Sequence, residues 1–145
     1  MDNVALSKLE QKTAVSLALV FGLRMLGLFM IMPVFAIYGR DLIGYSPLWV
    51  GIVIGAYGLT QAILQIPMGQ LSDRIGRKPV IIAGLGLFCL GSIVAGMADS
   101  VYGVAVGRIL QGTGAVASAI LALAADITRE QQRPKVMAVI GMCIG

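Results

Sequence analysis

Charge is missing from long stretches of this sequence. Residues 42–72 hold no Asp, Glu, Lys or Arg across 31 positions, and residues 79–98 hold none across 20. Residues 25–39 and 109–125 are charge-free as well. An α-helix rises about 1.5 Å per residue, so roughly 20 apolar residues cross the ~30 Å hydrocarbon core of a bilayer. A chain of 145 residues has too little else to cover several such runs in water. The expected class is therefore an all-α polytopic membrane protein. Composition agrees: 12% of residues are charged, against roughly 25% in soluble domains, and the mean hydropathy is +0.91.

Several function classes fall on composition. The chain has no histidine, which removes imidazole acid–base chemistry, Ser-His-Asp triads and histidine metal ligands. Cys89 and Cys143 lie inside apolar runs, where free thiols are expected to pack rather than to form a disulfide or hold zinc. No metal or cofactor is expected. The positive residues behind the net charge of +4 flank the apolar runs, so they do not make a nucleic-acid surface. No pair of acids lies deep in a run, which argues against an intramembrane enzyme.

The runs and their flanks predict a tail over residues 1–12 and membrane spans over 13–38, 48–69, 79–98 and 101–125, with a fifth beginning at 136–145. Ten residues cannot cross the hydrocarbon, so the chain is expected to be the N-terminal part of a longer protein. Pro79 suits the first turn of its span, where a missing N–H costs nothing. Lys8 and Lys12, then Arg74, Arg77 and Lys78, then Arg129, Arg133 and Lys135 fall on one side of the membrane, while Arg40 alone falls on the other. Basic loops stay in the cytoplasm. The N-terminus is expected there, in a multi-pass membrane protein.

Polar groups within the spans carry the functional signal, because they are costly there. Arg24 lies ~16 Å into the first span at 1.5 Å per residue. An Arg at that depth costs at least ~2.5–3.5 kcal/mol. It either bonds buried carbonyls or faces a watery cavity. At 100° per residue, Arg108, Gln111, Ala115, Ala119, Ala122 and Asp126 share one face of the fourth span. That face serves helix packing or function. Gln61 and Gln65, one turn apart in the second span, either bridge helices or line a hydrophilic cavity. Gly51 and Gly55 read as a small-residue helix contact. No acid lies deep in the four spans to meet Arg24 or Arg108. Their partners would be water, carbonyls, an anionic ligand or an acid in further helices.

One short segment is the sharpest feature: Gly69-Gln70-Leu71-Ser72-Asp73-Arg74-Ile75-Gly76-Arg77-Lys78-Pro79. Gly69 permits a close helix approach and Gly76 a tight turn. Arg74, Arg77 and Lys78 anchor the segment in the cytoplasm. Asp73 can accept charge-assisted bonds from Arg77 or from a helix N-terminus, and Asp126 is a second candidate partner for Arg77. The segment resembles the loop between the second and third helices of major facilitator superfamily transporters, G-x-L-x-D-R-x-G-R-K/R. Arg108-Ile109-Leu110-Gln111-Gly112-Thr113-Gly114-Ala115 is similar to the fourth-helix R-x-x-Q-G-x-G-A pattern of proton-coupled members, drug/proton antiporters above all. Leu23-Arg24-Met25-Leu26-Gly27, Gly58-Leu59-Thr60-Gln61-Ala62, Gln65-Ile66-Pro67 and Thr128-Arg129-Glu130-Gln131 look like inner-membrane carriers of the same family.

The resemblance implies the front of a twelve-helix fold and a secondary transporter. It implies proton-coupled export of a small solute or drug by alternating access. It implies no cofactor. Its partners would be the bilayer, the solute, protons and helices C-terminal to this chain. Gly69, Asp73, Arg74, Gly76, Arg77, Lys78 and Asp126 would form a cytoplasmic gating latch. Arg24, Gln61, Gln65, Arg108 and Gln111 would line the cavity or couple protons, the coupling role falling on Arg108. The alternative is a membrane scaffold or subunit of four to five helices that acts through assembly.

Overall fold

The computed structural model describes residues 6–114 and 116–143. Of the positions discussed above, Ala115, the first residues of the tail and the last two of the fifth span lie outside the described residues. The helices are α1 (Lys8–Phe29), α2 (Ile31–Tyr38), α3 (Pro47–Ile75), α4 (Arg77–Gly96), α5 (Val101–Thr113), α6 (Ala117–Ile127) and α7 (Arg133–Gly141). Short 3-10 turns occupy Gly39–Asp41 and Glu130–Gln132. Lys8–Asp41, Pro47–Ile75, Arg77–Gly96 and Val101–Ile127 are long and apolar enough to cross a membrane. The fold is thus all-α and polytopic. Leu59, Ile66, Ile82 and Leu90 are exposed along these helices.

Local chemistry sets the helix ends. Ser46 caps α3, its hydroxyl accepting from Trp49 N, with Pro47 at the first helical position. Ser100 caps α5 by accepting from Gly103 N. These side chains satisfy donors that a helix start leaves open. The first span is interrupted at Met30, between α1 and α2. Pro33 is the cause: it has no N–H for the Phe29 carbonyl, and its ring crowds that carbonyl. The fourth span is also interrupted, because α5 ends at Thr113 and α6 starts at Ala117. Gly112 and Gly114 weaken helix there, and Thr113 Oγ1 donates back to Leu110 O at 2.6 Å. The polar face expected from one continuous helix is therefore split. Arg108 and Gln111 stand on α5, and Ala119, Ala122 and Asp126 on α6.

The chain divides into two compact units, residues 30–119 and residues 1–29 with 120–145. In the first, α5 packs between α4 and α3. Phe35, Val53, Val101, Val104 and Ala105 form its buried cluster, with Trp49, Val50 and Ala98 against it. Helix backbones touch at glycines. A β-carbon on Gly91 would lie 2.6 Å from Gly107 O, and one on Gly112 would lie 2.7 Å from Tyr57 O. The outer loops are tied by two backbone bonds, Ile43 N to Asp99 O and Val101 N to Ile43 O, both 3.1 Å. Trp49 and Tyr102 meet edge to face beside that tie, ring centroids 4.7 Å apart.

Two expectations fail here. A β-carbon at Gly51 or Gly55 would meet nothing within 4 Å among the described residues. Val53 and Tyr57 are the buried positions on that half of α3, and the two glycines lie nearly opposite Val53 at 100° per residue. Cys89 is exposed on α4 rather than packed.

In the second unit, α1 packs along α7, and a β-carbon on Gly22 would come within 3.7 Å of Cys143. Ala14, Leu17, Phe21, Val136 and Ile140 are buried.

Candidate functional site

Two polar clusters form within the unit of residues 30–119. The first sits among the apolar helices. Arg108 and Gln111, both on α5, are each 3% exposed. Three residues apart, they share a helix face, and Arg108 Nη1 donates to Gln111 Oε1 at 2.7 Å. Gln111 Nε2 donates across to Ser92 Oγ on α4 at 2.8 Å, and Ser92 Oγ donates to Phe88 O at 2.9 Å. The Arg108 guanidinium carbon lies 4.8 Å from the Tyr57 ring centroid. An aromatic face attracts a cation most where water is excluded. The desolvation of this Arg is thus offset by an amide oxygen and a π face. Arg108 Nε is buried and makes no hydrogen bond among the described residues. It remains a donor for an incoming acceptor.

The second cluster is the Gly69–Lys78 segment. The sequence reads it as a loop from Ser72 onward, but α3 continues to Ile75 and α4 starts at Arg77. Only Gly76 separates them, at φ +103°. That region admits glycine and strains other residues. Arg77 thus opens α4, where a cation opposes the helix dipole. Asp73, one turn back on α3, offsets it by pairing with Arg77 Nη1. The same Nη1 donates to Ser72 Oγ at 2.7 Å, and Ser72 Oγ donates to Gly69 O at 2.7 Å. Ser72 is 1% exposed. Gly69 meets the first turn of α6, its β-carbon position lying 3.3 Å from Ser118 Oγ. Ser118 Oγ donates to Gln65 O at 3.1 Å.

Gln61 and Gln65 are half-buried on α3, while Arg74, Lys78 and Asp126 are exposed. Arg24 is buried on α1, at 2% exposure. An apolar groove of about 300 Å³ between α2 and α3, edged by Arg40 and Tyr45, contains none of the residues singled out from the sequence.

The unit containing α1 holds an ion pair that sequence reading passed over. Glu10 is 3% exposed. Its Oε1 accepts from Arg129 N at 3.1 Å and from Arg129 Nε at 3.0 Å. Its Oε2 accepts from Arg129 Nη2 at 2.9 Å and from Ser7 N at 2.8 Å. Ser7 Oγ in turn accepts from Glu10 N, so Ser7 and Glu10 form a reciprocal capping box. The Arg129 side chain, then the backbone bonds from Ser7 and Arg129, hold the Glu10 carboxyl far below the usual carboxylate range. The same pairing raises Arg129. The S-x-x-E spacing ahead of an apolar run was a readable signal for the cap, though not for Arg129. Ser92 was also missed. As a lone hydroxyl in the apolar third span, it becomes visible only when Gln111 needs an acceptor.

Among the described residues, no group of His, Cys, Asp and Glu could hold a metal ion.

Comparison with known proteins places this arrangement. A family model described as Major Facilitator Superfamily matches residues 17–145. Over its whole length the chain is 52% identical to the inner membrane transport protein YajR of Escherichia coli (strain K12), covering 32% of it. It is 40% identical to an uncharacterized transporter of Buchnera aphidicola subsp. Schizaphis graminum, over 98% of this chain and 36% of the relative. It is 30% identical to the class G tetracycline resistance protein of Vibrio anguillarum, over 93% of this chain and 35% of the relative. The chain spans about a third of the length of these curated relatives, which are named for transport or resistance rather than for an enzymatic reaction. The chain belongs to the Major Facilitator Superfamily.

Proposed function

We propose that the protein to which these residues belong is a secondary transporter of the inner membrane, with its N-terminus in the cytoplasm. It exports a small solute by alternating access, coupled to protons. The observation that carries this reading is the seating of Arg77 between Ser72 and Asp73 at a one-residue turn. Such a cation clamp is a compact element that can hold a cytoplasmic gate in one state. Asp73 and Arg77 are its charged members, and Asp126 is the further charged residue assigned to the gate. Gly69 and Gly76 permit its geometry, and Arg74 and Lys78 hold it on the cytoplasmic side. Arg108, buried with an open Nε donor, is the coupling candidate. Gln111, Arg24, Gln61 and Gln65 complete the cavity set. The inner-membrane name of one relative supports the location. The tetracycline resistance name of another supports a drug-like cargo.

Tetracycline uptake by inverted vesicles carrying the full-length protein tests each part. Asp73→Asn, which weakens a charge-assisted bond, should lower uptake about tenfold at equal membrane abundance. Full uptake by the variant overturns the gate. Uptake unaffected by a protonophore overturns the coupling. No uptake by the unaltered protein overturns the cargo.

A further inference from the structure

We propose that Ser92 is a positioning residue for Arg108. Its hydroxyl fixes the orientation of the Gln111 amide, and that orientation clamps the guanidinium. Hydrogen-bond polarity leaves one arrangement. Arginine only donates, so Gln111 must turn its carbonyl Oε1 toward Arg108 Nη1. The amide NH2 is then left facing α4, where it meets Ser92 Oγ. That oxygen can accept because its own proton goes to the Phe88 carbonyl. Each bond has one donor and one acceptor: arginine sets the direction of the first, and the Ser92 to Phe88 bond leaves Ser92 Oγ to accept the second.

Helix packing makes the relay possible. A β-carbon at Gly91 would lie 2.6 Å from Gln111 N as well as from Gly107 O. The two backbones therefore approach to van der Waals distance beside Ser92. With any side chain at Gly91 or Gly107, the helices would separate and the Gln111–Ser92 bond would open. Gln111 is 3% exposed, while Ser92 itself is exposed on α4, and a buried amide NH2 without an acceptor is costly. Without the hydroxyl, the Gln111 NH2 loses its acceptor on α4, and the amide is held only through its bond to the guanidinium.

Any consequence for coupling rests on the role proposed above for Arg108, but the clamp itself is read directly at the guanidinium. The full-length carrier is labelled with 15N-arginine in nanodiscs, and the Arg108 side-chain signals are assigned by their loss in Arg108→Lys. In the unaltered protein these signals should be resolved and slow to exchange with solvent. Ser92→Ala should accelerate their exchange about tenfold or more, the equivalent of one lost bond in a charged network. Ser92→Thr, which keeps the hydroxyl, should restore slow exchange. Gln111→Leu should behave like Ser92→Ala. Arg24 signals should not change in any of these variants. Arg108 signals unchanged in Ser92→Ala overturn the proposal, as does an unchanged Arg108 in Gln111→Leu. Loss of the Arg24 and Arg108 signals together, with no recovery in Ser92→Thr, also overturns it, because the hydroxyl would then act through the packing of α4. Failed transport in a carrier whose Arg108 behaves as described would count against the coupling role and leave the clamp standing.

Discussion

The buried Glu10 carboxylate accepts hydrogen bonds from Ser7 N and from both the backbone and the side chain of Arg129. Its folded pKa lies below its unfolded one, so its contribution to stability is complete above the ordinary carboxylate range. It is lost as pH falls toward the folded value. Thermal unfolding of the full-length protein in detergent should therefore show a midpoint that drops on acidification below about pH 4.5. Glu10→Gln should lower the midpoint at neutral pH and flatten that acid slope. An unchanged slope would mean that the pair contributes nothing. Readability at this scale followed sequence distance. Arg108 and Gln111 are three residues apart, and their shared face was legible. Glu10 and Arg129 are 119 residues apart, and nothing local in either segment names the other. Ser92 was illegible for a different reason: a single serine in a membrane helix ordinarily bonds its own backbone, as this one also does.

Helices were more legible than their interruptions. Charge-free runs fix where helices must be, because each apolar run needs internally satisfied backbone. Breaks depend on single residues whose effect is conditional. Pro67 lies inside α3 without ending it, whereas Pro33 coincides with the break at Met30. Glycines divide in the same way. Gly51 and Gly55 looked like a contact, yet a β-carbon there would meet nothing within 4 Å among the described residues, while Gly91 and Gly107 hold two backbones together. Spacing alone cannot separate these cases, because the difference lies in which face the neighbouring helix takes. Gly107→Val should therefore destabilise the carrier by about 1–3 kcal/mol or more through overpacking, measured by denaturant unfolding in micelles. A neutral result would show that α4 and α5 can separate without loss.

At the scale of the molecule, the asymmetry of basic residues was the most legible property, since it is a sum that needs no contacts. With Cys89 and Cys143 replaced by serine, a cysteine introduced at Lys78 should react with an impermeant maleimide only in inverted vesicles. One introduced at Arg40 should react only from outside the cell. The reverse pattern would overturn the orientation. The cavity was far less legible, because these residues amount to about a third of the relatives' length, and a cavity is defined by all the helices around it. The single residue between α3 and α4 bears on how such a chain can vary. One inserted residue beside Gly76 would turn α4 by about 100° around its own axis. Gly91 would then face away from Gly107, and Ser92 away from Gln111. The spacing across this turn is therefore under the same constraint as the residues in it, and natural variation here should run to substitutions and not to insertions or deletions.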